Sequence, residues 1–400
     1  MTGRPAPFFR AVSRRGRLLR AALLRAAGGV LACAVCALPL RMAAEESAAA
    51  MDRSTAEQLE RYQDPERLWG SGVEAVIEKA YRASFKTLII GGRVMNLRMP
   101  FAENNERTEL TDQGWEVLGG GKANPAFLWE AIGEILAADD FSRYVAALGD
   151  SREKVVIFDI PARAWSVSTD LFDIARMKAG AYRGLPHRPY VLVSGRGILE
   201  SDVYNYLYCV GWTGIDCSGF VWYVLSTVAK EAGIDLGATL RRVIGSPRGR
   251  DVSWYVGTAF FNSANRELIT VPDEARNLRP LDVILFRGAD GAMVHSAIIQ
   301  SVNLETGVIR YLQSTDEAPY GERGAHESFI RFDPAAADVS LADSAVMWTQ
   351  SRYPPFPGEK ASPFSNDGAR YRAFPEHGGG KVVRLRIMAD IAARLSRRRG

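Results

Sequence analysis

Residues 214–232 place a cysteine at the start of an amphipathic helix, and this feature restricts the fold more than any other in the chain. Asp216 is of a type that commonly caps a helix N-terminus. The apolar residues that follow recur at helical spacing: Val221, Val224, Leu225, Val228 and Ala229. A thiol at this position lies beside free backbone N–H groups and the positive end of the helix dipole, which favour the thiolate. The pattern predicts a helix over 218–232 with Cys217, a candidate nucleophile, in its first turn.

The segments after this helix have the patterns of strands. Residues 282–286 form a short apolar run, and residues 294–302 form a second one. Turn-forming residues at 303–307 separate the second run from a third at 308–314, which predicts an antiparallel hairpin. A helix that begins at a cysteine and is followed by at least three strands indicates an α+β domain.

A nucleophilic thiolate needs a base and a group that orients the base. His295 lies in the first strand of the predicted hairpin and is the candidate base. Gln313 ends the second strand, on the same face as Tyr311 and Ile309, and is the candidate orienting residue. Three nearby residues remain alternatives for that third role: Ser314, Asp316 and His326.

Three segments resemble the NlpC/P60 family of bacterial cell-wall cysteine peptidases. Residues 216–221 are similar to the family's nucleophile segment, and residues 280–286 resemble its Gly-Asp-hydrophobic-Phe strand. His295 follows in the next strand, and residues 208–211 resemble the family's tyrosine-led segment before the nucleophile. The resemblance covers about residues 190–345.

The resemblance implies a papain-like fold, with the nucleophile helix packed on an antiparallel sheet. It implies Cys217 as nucleophile, His295 as base and Gln313 as orienting residue, with Tyr208 and Ser218 in contact with the substrate. The implied reaction cleaves peptide bonds of peptidoglycan stem peptides, often between D-glutamate and a diamino acid, with no metal and no organic cofactor.

Several alternatives remain open at this level. Tyr206 competes with Tyr208 for the substrate contact, and Leu281 stands where the family usually has glycine. The interval between His295 and Gln313 is longer than the family norm. An amidase or acyltransferase acting on another substrate, and a catalytically inactive module that binds the envelope, are the rival functions.

Residues 1–44 have the layout of a secretory signal peptide. They contain eight arginines and no acidic residue, an apolar run of 15 residues over 26–40, and small residues at 43–44. The apolar run is shorter than the roughly 20 residues of a membrane-spanning helix. We therefore expect an exported protein of the periplasm or cell envelope that has no stable membrane span once the signal is removed. A twin-arginine route and a lipid anchor at Cys33 are the alternatives.

Charge and cysteine content exclude other classes. The chain has 50 basic and 46 acidic residues, and without the eight arginines of the leader 42 basic residues remain. The body of the protein is therefore mildly acidic, which argues against a nucleic-acid partner. Only Cys209 and Cys217 of the four cysteines lie outside the leader, so the chain is not a disulfide scaffold. A bridge between these two cysteines is the alternative to two free thiols.

The chain divides into a signal peptide, an α-rich or mixed N-terminal domain of unknown role over 45–189, a catalytic domain over 190–345 and a C-terminal extension over 346–400. The patterns in the N-terminal domain predict two helices and two strands: 71–86, 125–138, 88–90 and 155–158. Tyr190 to Val193 forms another predicted strand, and Tyr204, Tyr206 and Tyr208 alternate towards Gly211.

Two other sequence patterns do not predict a functional site. Residues 119–122 resemble a phosphate-binding loop, but Ala123 stands where such a loop needs Ser or Thr, so a flexible loop is predicted. His187, His326 and His377 lack the spacing of zinc ligands, and no metal site is predicted.

Overall fold

The computed structural model describes residues 72–102, 124–178, 190–193, 195, 197–246, 248, 252–288, 290–315, 323–351, 363–364 and 379–397. The predicted signal peptide and the glycine-rich segment at 119–122 lie outside these residues. The described part of the chain is a mixed α+β structure whose sheets are antiparallel, which confirms the predicted α+β class.

The helices and strands occur along the whole described chain. The helices are α1 (Val73–Arg82), α2 (Pro125–Leu136), α3 (Asp139–Gly149), α4 (Leu171–Lys178), α5 (Glu200–Tyr206), α6 (Cys217–Glu231), α7 (Leu236–Ile244), α8 (Thr258–Asn262) and α9 (Arg386–Arg397). The strands are β1 (Phe85–Ile90), β2 (Arg93–Arg98), β3 (Lys154–Asp159), β4 (Ala164–Ser168), β5 (Tyr190–Val193), β6 (Leu268–Val271), β7 (Val283–Arg287), β8 (Met293–Asn303), β9 (Val308–Thr315), β10 (Gly324–Arg331), β11 (Met347–Ser351), β12 (Pro363–Phe364) and β13 (Lys381–Leu385). Within the described ranges, no helix is long and apolar enough to cross a bilayer.

Eight strands form the large sheet, in the order β12-β11-β10-β9-β8-β7-β13-β6. The predicted hairpin is confirmed as β8 and β9, in which Ile298 lies opposite Leu312. The predicted strand at 282–286 is β7, which pairs with β8. Two smaller sheets lie outside it, the hairpin β1-β2 and the three strands β4-β3-β5.

Helix α6 confirms the predicted helix and begins at Cys217 itself. The side chain of Asp216 caps it, because Oδ1 accepts a hydrogen bond from the backbone N–H of Gly219 at 2.5 Å. The apolar side of the helix is buried, and the helix packs against β8 and β9. This packing covers the face of β8 and β9 that carries Ile298 and Leu312. His295 and Gln313 alternate with these residues, so the register places them on the other face, with Phe286 and Tyr311.

The two faces of the large sheet contact different sets of apolar side chains. Leu285, Ile298 and Leu312 belong to the core cluster that also contains the apolar residues of α6. The alternate residues of the same strands, among them Phe286 and Tyr311, belong to a second cluster on the other face. Because side chains alternate along a strand, both faces of the central strands are covered.

Residues before position 189 share the first core cluster with the sheet. Helix α1 packs on α6 and β8, and Glu78 on α1 is fully buried. Its carboxylate accepts a hydrogen bond from Arg310 of β9 at 2.7 Å and another from Arg82 at 2.5 Å. The described residues belong to one compact unit.

The segment after residue 346 also contributes to the large sheet. Strand β13 lies between β7 and β6, pairing Val383 with Val283. Helix α9 follows directly, and its residues Met388, Ile391 and Leu395 are buried in the first core cluster. Strand β11 pairs with β10.

The alternating tyrosines before Gly211 lie in helical structure. Tyr204 and Tyr206 belong to α5, and Tyr208 lies in the π-helical turn Leu207–Gly211 that follows it. All three are buried. All three belong to the first core cluster, so this helical segment is buried on more than one side.

Candidate active site

Cys217 occupies the N-terminal position of α6 and is 8% exposed. Its Sγ lies 3.9 Å from Oγ1 of Thr258, the first residue of α8. The free N–H groups of the first helical turn and the helix dipole act at this position, and both stabilise a thiolate. The local structure therefore supports the predicted activation of the thiol.

The chain before Cys217 is held at both sides. The backbone N–H of Ile215 donates to the carbonyl oxygen of Pro100 at 2.8 Å. The carbonyl oxygen of Ile215 accepts a hydrogen bond from the Ser314 hydroxyl of β9 at 2.6 Å. Gly214 is required at its position, because a Cβ there would lie 2.2 Å from the Pro100 oxygen. These contacts fix the N-terminus of α6 relative to the end of β9.

The structure brings His295 and Gln313 together. Nε2 of His295 lies 2.7 Å from Oε1 of Gln313, and the Gln313 amide nitrogen donates to the Ser328 hydroxyl at 3.0 Å. An amide oxygen only accepts, so Nε2 carries the proton in this contact. The neutral imidazole then has its lone pair on Nδ1, which is the tautomer that a general base requires.

The imidazole lies at the start of β8, beside an irregularity of the sheet. His295 is opposite Phe286, whereas Met293 is opposite Arg287, so Val294 is the extra residue of a β-bulge. Val294 is 52% exposed and His295 is fully buried. The ring centroids of His295 and Phe286 are 5.4 Å apart. β-Bulges beside active sites commonly change the direction in which a side chain points. This bulge immediately precedes His295, the candidate base.

The alternatives to Gln313 have other contacts. Ser314 binds the carbonyl group of Ile215, as described above. His326 lies opposite Gln313 on β10, and its ring nitrogens are 2.8 and 3.0 Å from a guanidinium nitrogen of Arg98. Asp316 lies outside the described residues. Gln313 forms a hydrogen bond with the imidazole of His295.

The two substrate-binding candidates are buried. Ser218 is fully buried, and its hydroxyl donates to the capping carboxylate of Asp216 at 3.2 Å. The hydroxyl of Tyr208 accepts a hydrogen bond from Arg323, whose guanidinium also lies over the ring, 4.6 Å from its centroid. The competing Tyr206 donates its hydroxyl to Asp140 at 2.7 Å, in contact with the α3 helix.

The two cysteines outside the leader are not joined. Neither Cys209 nor Cys217 forms a disulfide, and both are buried. The alternative of a bridge between them is therefore absent from this structure.

Leu281, which stands where the family usually has glycine, has an unusual backbone conformation. Leu281 has φ of 75°, in the left-handed region that glycine adopts without strain. The next residue, Asp282, is fully buried and forms an ion pair with Arg384 of β13 at 2.6 Å. The chain thus keeps a glycine-like turn before this aspartate although its residue there is leucine.

Three residues of the site were not identified from the sequence. Thr258 approaches the thiol, Ser328 holds the Gln313 amide, and Phe286 contacts the imidazole. Phe286 ends the predicted strand at 282–286, so the sequence predicted its place in a strand but not its contact with the imidazole. Thr258 and Ser328 have no local motif, because each reaches the site through the packing of a distant element.

Comparisons with known proteins give no assignment. No family model, no curated protein and no solved structure matches this chain. In the described ranges, no group of three or more His, Cys, Asp or Glu side chains is arranged to hold a metal ion.

Proposed function

We propose that this protein is an exported cysteine hydrolase of papain-like fold that cleaves peptide bonds in peptidoglycan stem peptides. The observation that supports it best is the His295–Gln313 hydrogen bond on β8 and β9, which orients a neutral imidazole at the start of β8. Because the register places this imidazole on the face opposite to α6, the proposed function requires that His295 reach Cys217 around the end of the sheet. A thiol at a helix N-terminus and an oriented neutral imidazole are the two parts that thiol catalysis needs.

The proposed reaction has two steps, acylation of Cys217 and hydrolysis of the thioester, and His295 transfers a proton in each. Nδ1 of His295 takes the proton of Cys217, and the thiolate attacks the scissile carbonyl carbon. The imidazolium then gives its proton to the leaving amine, which leaves a thioester on Cys217. Water attacks the thioester while His295 takes its proton, and the carboxylic acid product and free thiol are released. Gln313 keeps the ring in the productive tautomer throughout, and the backbone N–H groups at Cys217 and Ser218 stabilise the oxyanion.

The substrate class rests on two features of the sequence. The resemblance over residues 190–345 points to cell-wall peptide bonds, and the signal-like residues 1–44 would deliver the protein to the compartment that contains them. A mildly acidic body without its leader gives no competing attraction to nucleic acid.

The burial of the site favours one second candidate. Cys217 is 8% exposed and His295 is fully buried, so water has restricted access to a thioester formed there. An enzyme of this kind could pass the acyl group to a bound amine instead of water, which would make it a transpeptidase or acyltransferase.

Digestion of defined muropeptides, followed by mass spectrometry, tests the proposal. The wild-type protein is expected to release free stem-peptide fragments, and Cys217→Ala is expected to release none. Cys209→Ala removes the other buried thiol and serves as the matched control, which should retain cleavage. Products extended by an added amine would identify acyl transfer. No product from any diamino-acid variant, with retained binding of the wall, would identify an envelope-binding module and refute the proposal.

A further inference from the structure

The hydroxyl of Thr258 lies at the sulfur of the candidate nucleophile. Its Oγ1 is 3.9 Å from Sγ of Cys217, and either atom can be the donor in this contact. Thr258 is 4% exposed and Cys217 is 8% exposed, so water is largely excluded from both groups. Among the described residues, the Thr258 hydroxyl forms no other hydrogen bond. Because a buried hydroxyl without a partner is unfavourable, the sulfur is the group that satisfies this one.

The position of Thr258 is fixed by the packing of its own short helix. Phe260 and Phe261 of α8 are buried in the core cluster that also contains the apolar residues of α6. Helix α8 also contacts β7, β8 and β13 of the large sheet. A hydroxyl that is already held in place loses little conformational entropy when it forms a hydrogen bond to the sulfur.

Few charged groups face the sulfur from the elements around it. Helix α8 has no titratable side chain. On the face of β8 and β9 that α6 covers, the charged residue is Arg310, which is paired with Glu78 of α1 and with Glu327. His295 lies on the other face of the sheet. The other charged side chains that the structure describes on α1, α7 and α9, the helices in contact with α6, are exposed or half-buried.

The charge that comes closest along the chain is unfavourable for a thiolate. The carboxylate of Asp216 caps α6 immediately before Cys217, and it is buried with it. A neighbouring negative charge and the exclusion of water both raise the pKa of a thiol. The free N–H groups of the first helical turn act in the opposite direction. A side-chain donor at the sulfur would add to their effect.

We propose that the hydroxyl of Thr258 donates a hydrogen bond to the thiolate of Cys217. This inference rests on the proposed function and adds a residue to its site. A thiolate has no proton to donate, so the hydroxyl is the donor once the sulfur is ionised. Hydrogen bonds to an ionised partner are about twice as strong as neutral ones, so the contact favours the thiolate over the thiol. Thr258 thereby lowers the pKa of Cys217 and increases the fraction of the enzyme that is ready to attack.

Alkylation of Cys217 by iodoacetamide, followed across pH by peptide-resolved mass spectrometry, measures this effect. Thr258→Val removes the hydroxyl and keeps nearly the same shape, so it should move the midpoint upward by about one pH unit, the shift that corresponds to one hydrogen bond to a charged group. Thr258→Ala should shift the midpoint in the same direction. Thr258→Ser retains the hydroxyl and should keep the wild-type midpoint.

Thr227→Val is the matched control on the same helix. Thr227 lies about 15 Å further along α6, and its hydroxyl donates to the carbonyl oxygen of Tyr223 at 2.8 Å. This variant should leave the midpoint unchanged. Cys209 is fully buried, so its resistance to alkylation in the same digest shows that each variant is folded.

The relative shift tests Thr258, and the absolute midpoint tests the activation of Cys217. Equal midpoints for wild type and Thr258→Val would overturn the role of Thr258, whatever their common value. A serine variant that shifts as far as the valine variant would also overturn it, because the hydroxyl would then have no effect. A wild-type midpoint at or above about 8.5 would instead contradict the activated thiol on which the proposed function depends, whether or not the valine variant shifts it.

Discussion

Nε2 of His295 on β8 lies 2.7 Å from Oε1 of Gln313 on β9, and both side chains are buried in the sheet. The amide is itself held by the Ser328 hydroxyl of β10, so three neighbouring strands contribute to one hydrogen-bonded chain. This chain presents a neutral imidazole of defined tautomer at the start of β8, near the end of the sheet where α6 begins.

Replacing the orienting amide should impair turnover more than binding. Gln313→Leu keeps nearly the same volume but cannot accept a hydrogen bond from Nε2–H, so we expect kcat for the proposed hydrolysis to fall by about 100-fold, the lower end of the range for one positioned proton-transfer group. Gln313→Glu retains an acceptor and adds a charge, which favours the protonated imidazole and should move the acidic limb of the kcat/KM profile to higher pH. Unchanged profiles in both variants would show that the contact is structural only.

Loss of the cap on α6 should destabilise the protein. Asp216 and Asp235 each accept a hydrogen bond from a backbone N–H three residues later, but Asp216 is buried and Asp235 is exposed. Removing a helix cap costs about 1 kcal/mol. We expect Asp216→Ala to lower the free energy of unfolding by about 2 kcal/mol and Asp235→Ala by about 1 kcal/mol or less, measured by urea denaturation. Equal losses would mean that burial adds nothing to the cap.

The left-handed conformation of Leu281 predicts an unusual order of variants. Leu281→Ala loses the buried side chain and keeps the strained backbone, whereas Leu281→Gly loses the same side chain and relieves the strain. We therefore expect the glycine variant to be more stable than the alanine variant by about 1 kcal/mol in urea denaturation. At positions with negative φ the order is the reverse, so a more stable alanine variant would contradict the strained conformation.

The buried carboxylate of Glu78 should make stability depend on acidity. Burial raises the pKa of Glu78, but the charges and hydrogen bonds of Arg310 and Arg82 outweigh it and hold the pKa below its ordinary value of 4.5. The folded pKa is therefore lower than the unfolded one, so the stabilisation is complete above about 4.5 and is lost as the pH falls through the folded pKa.

Glu78→Gln isolates this contribution. At pH 7 we expect the variant to be less stable than wild type by about 2 kcal/mol, because the buried Arg310 loses one of its two carboxylate partners and keeps Glu327. The difference should shrink as the pH falls below about 4.5 and through the folded pKa, because the wild-type carboxylate becomes protonated there. Urea denaturation at several pH values provides the measurement, and a difference that is constant with pH would rule out the ion pair as its source.

Local patterns located the parts of the site that lie within one element. The spacing from Val221 to Ala229 and the capping aspartate predicted α6, and the alternation on both sides of the turn at 303–307 predicted β8 and β9. These inferences succeed because a helical turn or a strand pleat is decided by residues at most four positions apart.

The tyrosines before the nucleophile show where local patterns fail. The tyrosines recur at every second position, as side chains on one face of a strand do, but they do not form a strand. Tyr204 and Tyr206 lie in α5, and Tyr208 lies in a π-helical turn. The ring of Tyr208 is positioned by Arg323, which comes 115 residues later in the chain. Nothing near Tyr208 in the sequence indicates that partner.

By itself, the sequence determined that a helix begins close to Cys217 and that an antiparallel hairpin follows. It named His295 and Gln313 as candidates on that hairpin and left Ser314, Asp316 and His326 as alternatives to Gln313. The tertiary structure decided what surrounds Cys217, His295 and Gln313: Thr258 beside the sulfur, Phe286 beside the imidazole, Ser328 behind the amide, and β13 inside the sheet. Backbone geometry and apolar periodicity act over a few residues, whereas these contacts join segments whose approach depends on burying a shared apolar surface, and that surface exists only after the chain has folded.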